Sequence, residues 1–355
     1  MAGKREAIAR LLDRTGAVDV ILRARAMVRA PVLTVLTYHH VTDPSSDYPF
    51  DPDVADATPT QFRAHCELLA EHFTVIDIEQ LCEGLAGRRP LPYNPALITF
   101  DDGYLSCRDV AVPILQDFGF SAVFFIATDF VDKRRLFWWE RISYLVRSSK
   151  REVIDLTYPG PQTIDLADRG AAADVLLRII KDTKGLDIGR FLDEVTAAMQ
   201  VVWNAALERT LTDGLLMTWA DIRALHDAGM DIQSHTRCHR VLQTLDDRAL
   251  DDELGGSKRD LEDALGGGAR VRTIAYPVGR SIATASAVRA AVVRAGYDCG
   301  FSNATGVNYL VPGFFSGVGR VDPLDVHRIA IDRKMSSAMF RSQLAWPAIG
   351  YAGAR

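Results

Sequence analysis

The sequence predicts an α/β protein: a parallel barrel of β/α units that carries a mainly helical insertion. Three observations lead there. Short apolar, β-branched segments recur along the 355 residues. Helical segments separate them, and the loops that follow them are rich in polar and ionisable residues. Apolar residues make up 48% of the chain and charged residues 25%, close to globular averages, which excludes wholesale disorder.

Residues 32–38, Val-Leu-Thr-Val-Leu-Thr-Tyr, read as a first buried strand. Thr60 is the expected N-cap of a helix that turns Phe62, Cys66, Leu68 and Leu69 inward. Residues 73–77 and 96–100 read as the next strands, the latter ending at Asp101-Asp102-Gly103-Tyr104. A helix over 106–117 stops before Gly119, and 122–127 is a fourth strand. Over residues 132–216 the alternation lapses, with no clear buried strand, so a helical insertion is expected there. It resumes with a helix over 219–228, a strand over 230–234 leading into His235, and a helix over 246–265. A strand over 271–276, a helix over 285–295 and a strand over 298–302 complete about seven β/α units. The domain is thus expected over 31–335, between a basic N-terminal extension (1–30) and a C-terminal tail (336–355).

The formal charge is −5, from 41 Lys+Arg and 46 Asp+Glu, which provides no basic excess for nucleic acid. The five cysteines are scattered and form no CxxC pair, which points to a reducing compartment rather than a disulfide framework or zinc ribbon. Residues 1–29 hold seven Lys/Arg and three Asp/Glu, and Asp19, Arg23 and Arg25 interrupt or flank the apolar run 17–22, unlike a secretory signal. Leu11, Leu12, Ile21, Leu22 and Met27 can form the apolar side of an amphipathic segment, either packed on its own domain or touching an anionic membrane. A cytoplasmic, peripherally membrane-associated location is the expectation.

The chemistry gathers at strand ends. Asp101 and Asp102 are adjacent carboxylates that repel unless a cation or proton relieves them. After a barrel strand, one can ligate a metal while the other accepts a proton; an acidic turn is the plainer alternative. His235-Thr236-Arg237-Cys238-His239 places two imidazoles at i and i+4, metal-ligand spacing if the segment is helical, with Cys238 turned elsewhere. Two His and one Asp leave a position open for water, as in a catalytic site. Non-haem iron oxygenases share this ligand set, but on jelly rolls. His39, in Tyr38-His39-His40, is a candidate general acid. Pro277 and Gly279 fix a turn that can aim the Val278 N–H at an oxyanion. Tyr104, Tyr276, Trp138 and Trp139 are candidate substrate contacts, the paired tryptophans serving as a sugar-stacking wall or lid, or as core.

Together these residues resemble the NodB-homology polysaccharide deacetylases, the carbohydrate esterases that remove N- or O-acetyl groups from sugar polymers. Thr99-Phe100-Asp101-Asp102-Gly103-Tyr104 is similar to the family's first motif, and His235–His239 to its H-[ST]-x-x-H motif. The resemblance implies a distorted (β/α)7 barrel, Asp101 as base, and Asp102, His235 and His239 as ligands of a divalent ion, usually Zn2+, with Co2+ or Ni2+ as substitutes. Where the family often has an Arg to orient the base, this chain has Ala275, and Arg328 is the candidate replacement. The general acid is His39, as in the exopolysaccharide branch, or else His327. The implied substrate is an N-acetylated glycan, as a polymer or a lipid-linked precursor. The competing readings are an amidohydrolase or deformylase for a small or lipid-linked amide, and a non-catalytic carbohydrate-binding barrel.

Overall fold

The computed structural model describes residues 2–28, 31–311 and 320–347. Six parallel strands form the body of a barrel: β1 (Val32–Tyr38), β2 (Pro95–Phe100), β3 (Val123–Ile126), β4 (Asp231–Ser234), β5 (Thr273–Ala275) and β6 (Cys299–Ser302), each paired with the next. The seventh stave is split. Its first half, β7 (Val326–His327), pairs with β6, and its second half, β8 (Ile329–Ala330), pairs with β1, so the sheet closes. The break falls on Arg328. The expected (β/α)7 barrel is the fold observed.

Strand alternation explains what this barrel does at its mouth. Leu33, Val35, Leu97, Val123, Phe125 and Phe301 belong to one buried cluster, while Leu36, Tyr38, Ile98, Phe100 and Phe124 belong to the other. Neighbours along a strand face opposite sides. Continuing the first series beyond each strand end leads to His39, Asp101, His235 and Arg328, and the Arg328 guanidinium does lie 5.8 Å over the Phe125 ring. The candidate site is therefore the upward extension of the barrel's inner face.

Several elements differ from expectation. Thr58, not Thr60, caps the first barrel helix (Pro59–His72), because Pro59 at N1 and a capping box with Gln61 fix the start two residues earlier. The strand expected over 73–77 shrinks to Thr74–Val75, beside the start of β2. The insertion is mainly helical but also holds an antiparallel hairpin, Val153–Leu156 with Gln162–Asp165. Its alternating exposed and buried residues mark a hairpin buried on one face only, which a search for continuous apolar runs passes over. The helices expected over 106–117 and 246–265 each contain a π-helical stretch, Cys107–Ala111 and Asp252–Gly256.

The first helices meet the last described one. The segment expected as a C-terminal tail forms the helix Ser337–Ala345, and the helices Ala2–Arg14 and Ala17–Met27 pack against it. Val18 and Leu22 are buried, Leu12 and Ile21 partly so, whereas Leu11 and Met27 stay exposed. Arg341 pairs with both Asp13 and Asp19. No helix among the described residues is long and apolar enough to cross a membrane. Arg25 ties the assembly: its buried guanidinium donates to Leu344 O at 2.6 Å, Val32 O at 3.1 Å and Thr34 Oγ1 at 2.7 Å. Replacing Arg25 with Met strands those three acceptors, and a loss of about 2–3 kcal/mol is expected in urea unfolding. An unchanged midpoint would show that the N-terminal helices are not held this way.

Candidate active site

Asp101 stands at the end of β2, its N–H still bonded to Tyr38 O at 2.8 Å. Arg328 meets its carboxylate with two parallel bonds, Nη1 to Oδ1 and Nη2 to Oδ2, both 2.8 Å. Both groups are buried. Burial pushes the Asp101 carboxyl up, but Arg328, together with His235 and His39, outweighs it and holds the group below its ordinary value. Asp101 is thus an ionised carboxylate of fixed orientation. The split in the seventh stave sends Arg328 inward and turns His327 outward, against Gly306. His327 stands apart from the cluster.

Asp102 follows with φ +74, and Gly103 with φ +101 completes the reversal. At Gly103 a side chain would be strained and would press on Ile126. The turn directs Asp102 Oδ1 at His235 Nε2, 3.4 Å away, and His239 Nε2, 3.6 Å away. These separations are long for hydrogen bonds. They match the edges of a tetrahedral site, where ligands about 2.0–2.2 Å from an ion lie roughly 3.4 Å apart. Among the described residues, Asp102, His235 and His239 form the one Asp/His/Cys/Glu cluster of this kind, and all three are buried. Asp102 Oδ1 has no hydrogen-bond partner. His235 Nδ1 is 2.8 Å from Ala275 O, so it carries the proton and leaves the Nε2 lone pair for the cluster. Burial holds His239 neutral, well below the ordinary imidazole pKa. An orphaned carboxylate oxygen facing two imidazole lone pairs is a donor set that fits a divalent ion.

The His235–His239 segment is a loop, not the helical turn considered from the spacing. Thr236 and His239 take positive φ, 64° and 51°, which brings the two rings to 4.6 Å at 64°. Glu253, from the π-helical stretch, accepts the Arg237 and Cys238 N–H groups, each at 2.9 Å. Cys238 lies outside the cluster. Val278, a β-branched residue, also sits in the left-handed region at φ 52. Of seven non-glycine residues with positive φ among those described, Asp102, Thr236, His239 and Val278 belong to these loops. Each costs on the order of 1–3 kcal/mol, which marks a site whose surroundings over-determine its geometry.

His39 reaches the same mouth. Its Nε2 is 4.0 Å from Asp101 Oδ2, and its Nδ1 is 2.9 Å from Asp56 Oδ2, while 30% of the side chain stays exposed. Burial pulls its pKa down, but Asp56, with Asp102 and Asp101, outweighs it and raises it to about 9. Sequence reasoning missed Asp56. Its only signal was a lone carboxylate between two small residues, Ala55 and Ala57.

The aromatic candidates divide. Tyr104 and Tyr276 are buried, their hydroxyls spent on Glu140 Oε1 and Leu324 O, so they brace the walls from behind and present no face to a substrate. Trp138 is also buried, at 3% exposed. Trp139 is half-buried, stacked on Phe137, with its ring centre 4.5 Å from that of His239.

With this geometry in hand, comparison places the chain among known proteins. Residues 187–300 match the family model for polysaccharide deacetylases. That stretch holds His235, His239 and Val278; Asp101 and Asp102 lie before it. The poly-β-1,6-N-acetyl-D-glucosamine N-deacetylase of Escherichia coli K12 is 33% identical over 97 residues, which is 27% of this chain and 14% of that protein's length. The Streptococcus pyogenes deacetylase PplD, solved with acetate, superposes with a TM-score of 0.56 at 16% identity, covering 88% of this chain and 98% of its own. IcaB from Ammonifex degensii gives 0.53 at 17% identity, covering 90% and 98%. The resemblance to the polysaccharide deacetylases is thereby borne out, by a sequence match over part of the chain and a shared fold over most of it.

Arg328→Met leaves Asp101 as an uncompensated buried charge. A stability loss of about 3–5 kcal/mol is expected by calorimetry or denaturant titration. The surviving fold should hold Asp101 with a raised pKa, moving the acid limb of any activity profile to higher pH. An unmoved acid limb would remove Asp101 from the role of base.

Proposed function

We propose that this chain is a metal-dependent hydrolase that removes acetyl groups from a glycan, in first place the N-acetyl groups of an exopolysaccharide built from hexosamine units. The observation that supports it most is the convergence, on one barrel mouth, of an Arg-clamped carboxylate, a separate Asp-His-His donor set and a carboxylate-backed histidine. Each has its own task, and no single structural need explains all three.

A divalent ion on Asp102 Oδ1 and the Nε2 atoms of His235 and His239, zinc or in its place cobalt or nickel, would polarise the acyl carbonyl and acidify a water. The protein's own groups do the rest. Asp101, oriented by Arg328, accepts the proton of the attacking water. The Val278 N–H meets the negative oxygen of the tetrahedral intermediate. His39, kept protonated by Asp56, donates to the departing amine nitrogen as the C–N bond breaks. The products are acetate and a free amino sugar. The E. coli relative acts on poly-β-1,6-N-acetyl-D-glucosamine, so that glycan is the first substrate to test.

The purified chain should bind about one divalent ion and release acetate from β-1,6-linked N-acetylglucosamine oligomers only when loaded. Asp101→Asn should lower turnover by about 10²–10⁴-fold while the ion stays bound. His235→Ala should lose both. An Asp101→Asn variant that kept most of its activity would sink the assignment of the base. The pH profile tests the acid. His39 acts protonated, so activity should fall as pH rises through its pKa. Removing the Asp56 charge lowers that pKa, so Asp56→Asn should move the basic limb to lower pH. A basic limb that stays in place would exclude His39.

A further inference from the structure

The helix Trp138–Ser148 opens on Trp138-Trp139-Glu140. Glu140 is wholly buried, where an apolar side chain would avoid the loss of hydration that a carboxylate suffers. It is the end of a hydrogen-bonded chain: the Trp139 indole N–H donates to Tyr104 OH at 2.8 Å, and Tyr104 OH donates to Glu140 Oε1 at 2.6 Å. This chain fixes Trp139 beside His239. Trp138 lies buried behind it, its ring edge-on to that of Trp139 at 4.9 Å. The far end of the insertion grips the same turn, through Leu105 N to Leu215 O at 2.7 Å and Met217 N to Gly103 O at 3.0 Å. The insertion is therefore clamped to the Asp101-Asp102 turn from both of its ends.

We propose that the Trp138-Trp139-Glu140 turn is a sugar subsite beside the Asp102-His235-His239 centre. Trp139 offers the open part of its ring to the apolar face of the pyranose next to the one being deacetylated. Glu140 is a positioning residue, holding Trp139 in place through Tyr104. This rests on the glycan reading above. A purely structural anchor would explain the buried hydrogen bonds, but it would not need a half-exposed aromatic ring beside His239.

The test uses the full zinc-loaded chain and two substrates, a β-1,6-linked N-acetylglucosamine pentamer and the N-acetylglucosamine monomer. Trp139→Phe and Glu140→Leu should raise KM for the pentamer about tenfold, with a smaller change in kcat and no change in bound zinc. The slow reaction of the monomer, which has no neighbouring sugar, should lose less in Trp139→Phe than the pentamer reaction does, and an equal loss on both substrates overturns the subsite. Glu140→Gln still accepts from Tyr104 and should stay within about twofold of the parent, since the neutral acceptor preserves the chain of hydrogen bonds. Should Glu140→Leu fail to fold, Trp139→Phe decides alone. An unchanged pentamer KM in folded Trp139→Phe overturns the subsite, and a Glu140→Gln variant as impaired as Glu140→Leu overturns the positioning role. Pentamer binding to the metal-free chain, followed by calorimetry, separates the two readings. If the parent binds pentamer more tightly than Trp139→Phe does but releases no acetate when loaded, the subsite stands and the hydrolase reading falls.

Discussion

Two neighbouring carboxylates at the end of one strand are the constraint from which the rest of this molecule follows. Buried side by side, Asp101 and Asp102 cannot both be ionised without compensation. The fold answers each one differently. Asp101 receives a guanidinium from the opposite side of the closure, with both of its oxygens engaged. Asp102 receives two imidazoles that approach without hydrogen-bonding to it. The first answer makes a carboxylate that stays charged and keeps its direction. The second leaves a demand for positive charge that a divalent cation satisfies. Backbone strain at Asp102, Thr236 and His239 is what separating these two roles by a single residue entails.

Much of this was legible in the sequence, because barrel strands that are buried on both faces are unusually plain. Residues 32–38 were read to the residue, and most other strands to within two. The donors were legible for a related reason. They occupy strand ends, where an Asp or His following an apolar run stands out. What escaped was whatever depends on long-range pairing. Asp56 lies 17 residues from His39, whose Nδ1 it meets at 2.9 Å. The two histidines meet through left-handed loop residues, and no spacing rule anticipates that geometry. Tyr104 and Tyr276 stand next to the motifs and read as substrate contacts, yet their hydroxyls hydrogen-bond inward.

The insertion shows how an addition to a barrel is made part of its site. Its entry and exit both bond to the segment 103–105, so it is not a domain hung on a flexible linker. Its buried residues, Phe137 and Ile142 among them, are continuous with the core around β1 and β2. A fold-level likeness to solved deacetylases at 16–17% identity describes the barrel. What distinguishes one such barrel from another is carried by segments like this one.

The split stave has a consequence for how the molecule comes into being. Arg328 is the residue at which the sheet closes, and it is also the residue that neutralises Asp101. It lies 227 positions after its partner. A nascent chain that has completed β1 through β6 has both carboxylates, His235 and His239 in place, but it has an open seam and an unanswered charge at its centre. Ribosomal synthesis must pass residue 328 before either defect is repaired, and both are repaired by the same event. Closure of the barrel and neutralisation of Asp101 are thus one step in the life of the polypeptide, and a prematurely terminated chain lacks both together.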